Sequence, residues 1–89
     1  MTVLDNTARA RFELAEGEGI AYATYRLSGN VLTIPYVESP VALRGKGTAG
    51  RLWEGVAAHA RENKLKIVPI CGYAAAWFRR HPEHDDVLG

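Results

Sequence analysis

Apolar and polar residues alternate in short runs through the first part of this chain and recur at helical spacing later, and these patterns mark out its elements. Arg11 to Leu14 (RFEL), Ile20 to Leu27 (IAYATYRL) and Val31 to Val37 (VLTIPYV) are rich in aromatic and β-branched residues, as strands are. Residues 1–10 show no clear periodicity and read as a frayed entry into the first strand. The connections Glu16-Gly17-Glu18-Gly19 and Ser28-Gly29-Asn30 are short and glycine-bearing, so the three strands predict an antiparallel meander. Pro35 has no N–H to give to a ladder, and the third strand is therefore bulged or locally unpaired there. After a break at Glu38-Ser39-Pro40 the spacing turns helical. Leu52, Trp53, Val56, Ala57 and Ala60 form the stripe of an amphipathic helix running to about Asn63, with His59 and Arg61 outside it. Lys66 to Cys71 (KIVPIC) reads as an apolar strand, and GYAAAWFRRH as a second helix stopped by Pro82. The acidic tail PEHDDVLG reads as a surface extension, with Val87 and Leu88 placed to dock back. A helix between two strands of one sheet requires a parallel crossover, so the order strand, strand, strand, helix, strand, helix predicts a mixed α+β fold.

Composition narrows the class. The chain has 89 residues, 47% of them hydrophobic and 24% charged, which fits a single domain spanning 1–89 and ordered nearly end to end. At this size only about 60–65% of the unfolded surface can be buried, so the core is thin. Eleven basic against ten acidic residues give a net charge of +1, too little to draw the protein to nucleic acid or a membrane surface. Any anion site must be local. Cys71 is the single cysteine and has no internal partner, and the N-terminus lacks the layout of a signal peptide, which together suggest a cytoplasmic setting. No apolar run approaches the ~20 residues that span a bilayer. The expected state is a monomer or weak dimer.

The candidate chemistry starts at Arg44, in RGKGTAG. Gly45, Gly47 and Gly50 spell G-x-G-x-x-G, the dinucleotide fingerprint, while Arg44 to Ala49 spell R-x-x-G-x-A, the pyrophosphate loop of acetyl-CoA-dependent acyltransferases. A dinucleotide fold needs this loop directly after a strand in a parallel unit, and a carboxylate about 20 residues on. Ile70 to Gly72 stand there, and the preceding region is an antiparallel meander. The alternative asks only for backbone N–H groups at a helix start, facing an anion along the positive end of the helix dipole. Gly45, Gly47 and Ala49 keep that approach clear, Arg44 and Lys46 add positive charge, and Thr48 lies within the same turn. Gly50 then reads as incidental. A plain glycine turn with no ligand is the bland reading, but each glycine costs a helix start about 0.5–1 kcal/mol relative to alanine, which favours a functional reason.

With the loop, the helix to Asn63, the strand KIVPIC and the segment CGYAAAWF, the chain resembles the GCN5-related (GNAT) N-acetyltransferases over about residues 20–86. LRGKGTAGRL and VPICGYAAAWFRRHP carry most of the likeness, which points to the minimal, single-domain branch sometimes called YjdJ-like. The resemblance implies a GNAT-like sheet, with an antiparallel N-terminal meander followed by a β-α-β crossover and a C-terminal helix. It implies acetyl-CoA as cosubstrate, no metal, and a primary amine as acceptor, either a protein lysine or a small amine. Turnover by direct transfer is the leading expectation; a coenzyme A-binding module with little turnover is the alternative.

The resemblance also assigns roles. Larger members carry an Asn, an Ala three residues on and a Tyr seven residues on, the Tyr protonating the leaving thiolate; Cys71, Ala74 and Phe78 occupy those places here. Phe78 has no hydroxyl, so Cys71 becomes the candidate beside the sulfur, as proton donor, as transient acetyl carrier, or as a plain structural thiol. The minimal branch often has a His-Thr pair where this chain has Tyr36 and Val37. Tyr36 could substitute through its hydroxyl and Glu38 could accept a proton from the amine. Val37 and Ser39 fall where backbone groups would meet the thioester and pantetheine, Trp77 is core or a wall of the cleft, and Arg80, beside Arg79, is a candidate for the 3'-phosphate. His81, His84 and Asp85 have suggestive spacing for a metal, but Pro82 breaks the helix that would converge them.

Overall fold

The computed structural model describes residues 3–17, 19–40 and 47–89. Its elements are β1 (Leu4–Asn6), a 3-10 turn (Thr7–Arg9), β2 (Arg11–Glu16), β3 (Gly19–Ser28), β4 (Val31–Glu38), α1 (Thr48–Glu62), β5 (Lys66–Pro69), α2 (Gly72–Arg79) and a 3-10 segment (Pro82–Val87). The five strands form one sheet in chain order, antiparallel from β1 to β4 and parallel between β4 and β5. The mixed α+β architecture and the parallel crossover are those the sequence predicts.

Two local readings change. The stretch read as a frayed entry contains β1, which pairs Leu4 with Glu13 and Asn6 with Arg11. No residue of β1 is buried, and Leu4 is 59% exposed, so this strand is held by backbone pairing and leaves no hydrophobic signature. The strand expected to reach Cys71 ends at Pro69, and Cys71 caps α2 instead. The acidic tail docks back through Val87 and Leu88 as the sequence suggests: Val87 is buried, Leu88 bridges Ile67 in parallel, and the Gly89 N–H donates to the Ile67 carbonyl at 2.8 Å.

The core lies on one face of the sheet. Phe12 faces Ala23 and Leu14 faces Ala21 across β2 and β3, so large residues meet small ones and leave room for α1. All five residues of the predicted α1 stripe are buried, and Trp77 and Phe78 of α2 close the same cluster. α1 packs on β2 and β3 and α2 on β4 and β5, so both helices cover one face. The other face displays Arg11, Glu13, Ile20, Tyr22, Tyr36 and Glu38, with no helix over it among the described residues. No helix is long and apolar enough to cross a membrane among the described residues.

The irregularity expected at Pro35 is present and decides what faces where. Thr24 pairs with Tyr36 but Arg26 pairs with Thr33, so Ile34 and Pro35 together oppose Tyr25. Such a two-against-one bulge reverses the alternation that follows it. Ile34 therefore points into the core, whereas Tyr36, two residues on, is on the open face, and Val37 returns to the core side opposite Ala23.

Candidate functional site

The fork between β4 and β5 follows from the same bulge. The strands pair from Val31 with Lys66 to Ile34 with Pro69, and then the N–H groups of Ile70 and Cys71 both donate to the Ile34 carbonyl, at 3.1 and 3.0 Å. α2 departs at Gly72. Pro35 to Glu38 keep β3 on one side and have no β5 partner on the other among the described residues. Cys71 sits at the root of this fork, half-buried at the core's margin, with its carbonyl accepting from Ala75 N–H at 2.9 Å and its thiol making no capping bond.

On the arm of β4, Tyr36 and Glu38 share the open face, and the Tyr36 hydroxyl donates a short hydrogen bond to the Glu38 carboxylate. That bond and the adjacent negative charge push the Tyr36 pKa above the ordinary tyrosine value, so the hydroxyl stays protonated. Tyr22 pairs with Glu38 across β3, with its ring 6.4 Å from that of Tyr36. The structure thus brings the two sequence-predicted polar residues together and adds Tyr22, whose place depends on the register set by the bulge.

At the start of α1, Gly47 is the cap, with φ +76, a conformation that disfavours any side chain. Among the described residues no side chain caps the first turn, whose leading amides have no partner within the helix. Thr48 and Ala49 turn their side chains into the protein and can meet a ligand only through the backbone. Arg44, Gly45 and Lys46 lie outside the described residues. A Cβ at Gly47 would stand 3.2 Å from Arg51 Nη1, so glycine lets the guanidinium lie close against this turn. Gly50 is not incidental: a Cβ there would stand 3.2 Å from Trp77 Nε1, so this glycine lets α1 and α2 approach.

Sequence reasoning misses what anchors this turn. Glu16, at the end of β2, accepts from Thr48 Oγ1 at 2.5 Å and from Arg51 Nε and Nη2 at 2.5 and 2.7 Å. These bonds, Arg51's foremost, lower the Glu16 pKa to about 2. Glu16 and Arg51 are 35 positions apart and only the fold joins them, so the one available signal is a carboxylate inside a glycine-bearing turn.

The remaining expected residues sort by burial. Ala74 is fully buried, so its side chain faces the core and not the cleft. Trp77 is core too, 6% exposed, stacked on His81 at 3.8 Å and edge-on to Phe78. Arg80 is exposed at the end of α2, and Ser39 lies just beyond β4. His81 Nδ1–H donates to Trp77's carbonyl, 2.7 Å away, while His84 turns elsewhere. Arg61 Nη2 lies 3.2 Å from His84 Nδ1 and can only donate, so Nδ1 accepts and Nε2–H donates to Glu54 at 2.6 Å. The histidine pair does not converge; the cluster that forms is Glu54, Glu83 and His84, whose ligand atoms lie within 4.8 Å of one another, with both His84 nitrogens already engaged.

Known proteins align with this geometry. A family model described as GCN5-related N-acetyl-transferase matches residues 11–87. Among solved structures, the NMR structure of a GCN5-like candidate N-acetyltransferase from Staphylococcus aureus superimposes with a TM-score of 0.68 at 28% identity, covering 90% of this chain and 81% of that one. No curated protein matches the chain.

Proposed function

The chain belongs to the GCN5-related N-acetyltransferase family, and from that premise we propose that it moves an acetyl group from acetyl-CoA to a primary amine by direct transfer, as a single domain of the minimal branch. The observation that carries this reading is the fork at Ile34. One arm holds an acid-base pair, Tyr36 and Glu38, and the root holds Cys71.

Acetyl-CoA supplies an activated thioester. The first-turn amides from Gly47 to Ala49 would hold its pyrophosphate, the backbone from Val37 to Ser39 its pantetheine, and Arg80 its 3'-phosphate. Trp77 backs the first turn through its contact with Gly50 and supports it without lining the cleft. Glu38, the acceptor of the Tyr36 bond, is placed to take a proton from the incoming amine. Backbone N–H groups around residues 37–39 steady the oxyanion, and Cys71 donates a proton to the departing thiolate. The lone cysteine is compatible with a cytoplasmic setting.

Thermal shift with acetyl-CoA, desulfo-CoA and NAD tests the ligand class. Stabilisation by both coenzyme A compounds is expected; stabilisation by NAD alone overturns the reading. Turnover is tested with radiolabelled acetyl-CoA and a pool of amines. One observation favours a second reading, a coenzyme A-binding module: Phe78, where larger members carry a tyrosine, is locked in the core beside Trp53 and Trp77. If wild type and Cys71→Ala both label nothing while acetyl-CoA still stabilises, the binding module is the function.

A further inference from the structure

We propose that the helix-free face of the sheet carries the acceptor site, and that it takes the ammonium end of an unbranched alkylamine between Tyr22 and Tyr36, with Glu38 as counter-ion. This rests on the acetyltransferase reading and adds to it a location, a new residue and a substrate chemistry.

Three observations support it. Tyr36 is 48% exposed and Tyr22 is half-buried beside it, with the two rings tilted by 53° and their centroids 6.4 Å apart at the open arm of β4. Aromatic rings attract cations within about 6 Å of their centroids, and Tyr22 already does so within this chain: the Arg11 guanidinium lies 4.3 Å over its ring, held there by Glu13 at 2.5 Å. The ring thus accepts a cation on one face, and Glu13 offsets the charge of the guanidinium there. Finally, Glu38 stands directly across from Tyr22 in the β3–β4 register and is bound to Tyr36. Two rings and a carboxylate together select an ammonium group over a neutral or anionic one.

The chemistry balances without any further reagent. A bound R–NH3+ gives one proton to Glu38, which returns it to solvent. The neutral nitrogen forms a bond to the thioester carbonyl carbon as the carbon–sulfur bond breaks. Cys71 gives its thiol proton to the departing thiolate and regains the second proton lost by nitrogen, giving the amide, coenzyme A thiol and one released proton. An arylamine, which carries no charge at neutral pH, forgoes the counter-ion and the aromatic contacts.

Spermidine, butylamine, a lysine-containing peptide and aniline are titrated into the protein with and without coenzyme A, following tyrosine ring protons by NMR. Saturable movement of the Tyr22 and Tyr36 signals with the alkylamines, and none with aniline, is expected. The peptide and spermidine arms separate a protein lysine from a free polyamine. In turnover, Tyr22→Leu should raise KM for the amine roughly 3- to 30-fold with kcat and acetyl-CoA stabilisation unchanged, while Tyr22→Phe, which keeps the ring, stays within about twofold. Ring signals that do not move, or a Tyr22→Leu enzyme with unchanged KM, overturn the acceptor site and leave the acetyltransferase reading standing. Absence of acetyl-CoA stabilisation overturns that reading instead, whatever the ring signals do.

Discussion

Single residues here are set by partners far away in sequence. Glu16 ionises near pH 2 in the folded chain against an ordinary carboxyl value of 4.5. A depressed folded pKa contributes stability that is complete above about pH 4.5 and is lost as pH falls toward 2. Glu16→Gln should therefore flatten the pH dependence of urea unfolding in that window, leaving the slope due to Glu13 and Asp86, whose carboxyls Arg11 and Arg61 also lower. An unflattened profile would mean that the Thr48 and Arg51 bonds do not persist in solution. For Tyr36 the shift runs upward, with the Glu38 bond its main cause. Glu38→Gln should bring this hydroxyl's ionisation down toward about 10 in a near-UV titration, while Tyr25, buried and bound to Asp5, stays near pH 12. Tyr36 and Glu38 are legible in the sequence because residues two apart share a strand face. Tyr22 is not, because its partner depends on where the β4 bulge shifts the register.

Elements were legible where they bury a stripe and illegible where they do not. Leu52, Trp53, Val56, Ala57 and Ala60 announce α1 because each is sealed in the core. β1 announces nothing, yet the residue just before it packs closely on Gly55. A Cβ on Gly55 would lie 2.1 Å from Val3 Cγ2 and 2.6 Å from Val3 Cβ. Alanine gains about 1 kcal/mol over glycine in a helix interior, but overpacking of this kind costs about 1–3 kcal/mol. Gly55→Ala should thus be neutral or destabilising despite its propensity, and it should speed hydrogen exchange at Asp5 and Asn6; protection unchanged there would show that Val3 moves aside freely. At the other end of α1, Gly47→Asp puts a carboxylate where a pyrophosphate is expected and should abolish acetyl-CoA stabilisation. Gly47→Asn tolerates the left-handed backbone and should retain most of it, separating charge from strain.

The whole molecule is short of interior. With one sheet face covered by two helices, stability depends on pieces far apart in the chain closing a single cluster, and the C-terminal segment is one of them. Val87, 2% exposed, should cost about 1–3 kcal/mol as alanine, read as a lower denaturant midpoint with an unchanged slope. The sequence hints at this docking through two apolar residues in an acidic tail, but the hydrogen bond from Gly89 to Ile67 belongs to the backbone and has no side-chain signal. That bond has a consequence beyond stability. Exposed strand edges are templates along which protein chains join and aggregate. At one margin β1 offers only three residues, and at the other Leu88 and Gly89 lie along Ile67. The arm from Pro35 to Glu38 has no β5 partner among the described residues, but Pro35 has no N–H to give, so the stretch is too short and too interrupted to extend a neighbour's sheet. Among the described residues the molecule thus leaves open only a short edge, the one proposed for the pantetheine chain, while denying a second copy of itself a foothold for fibril growth.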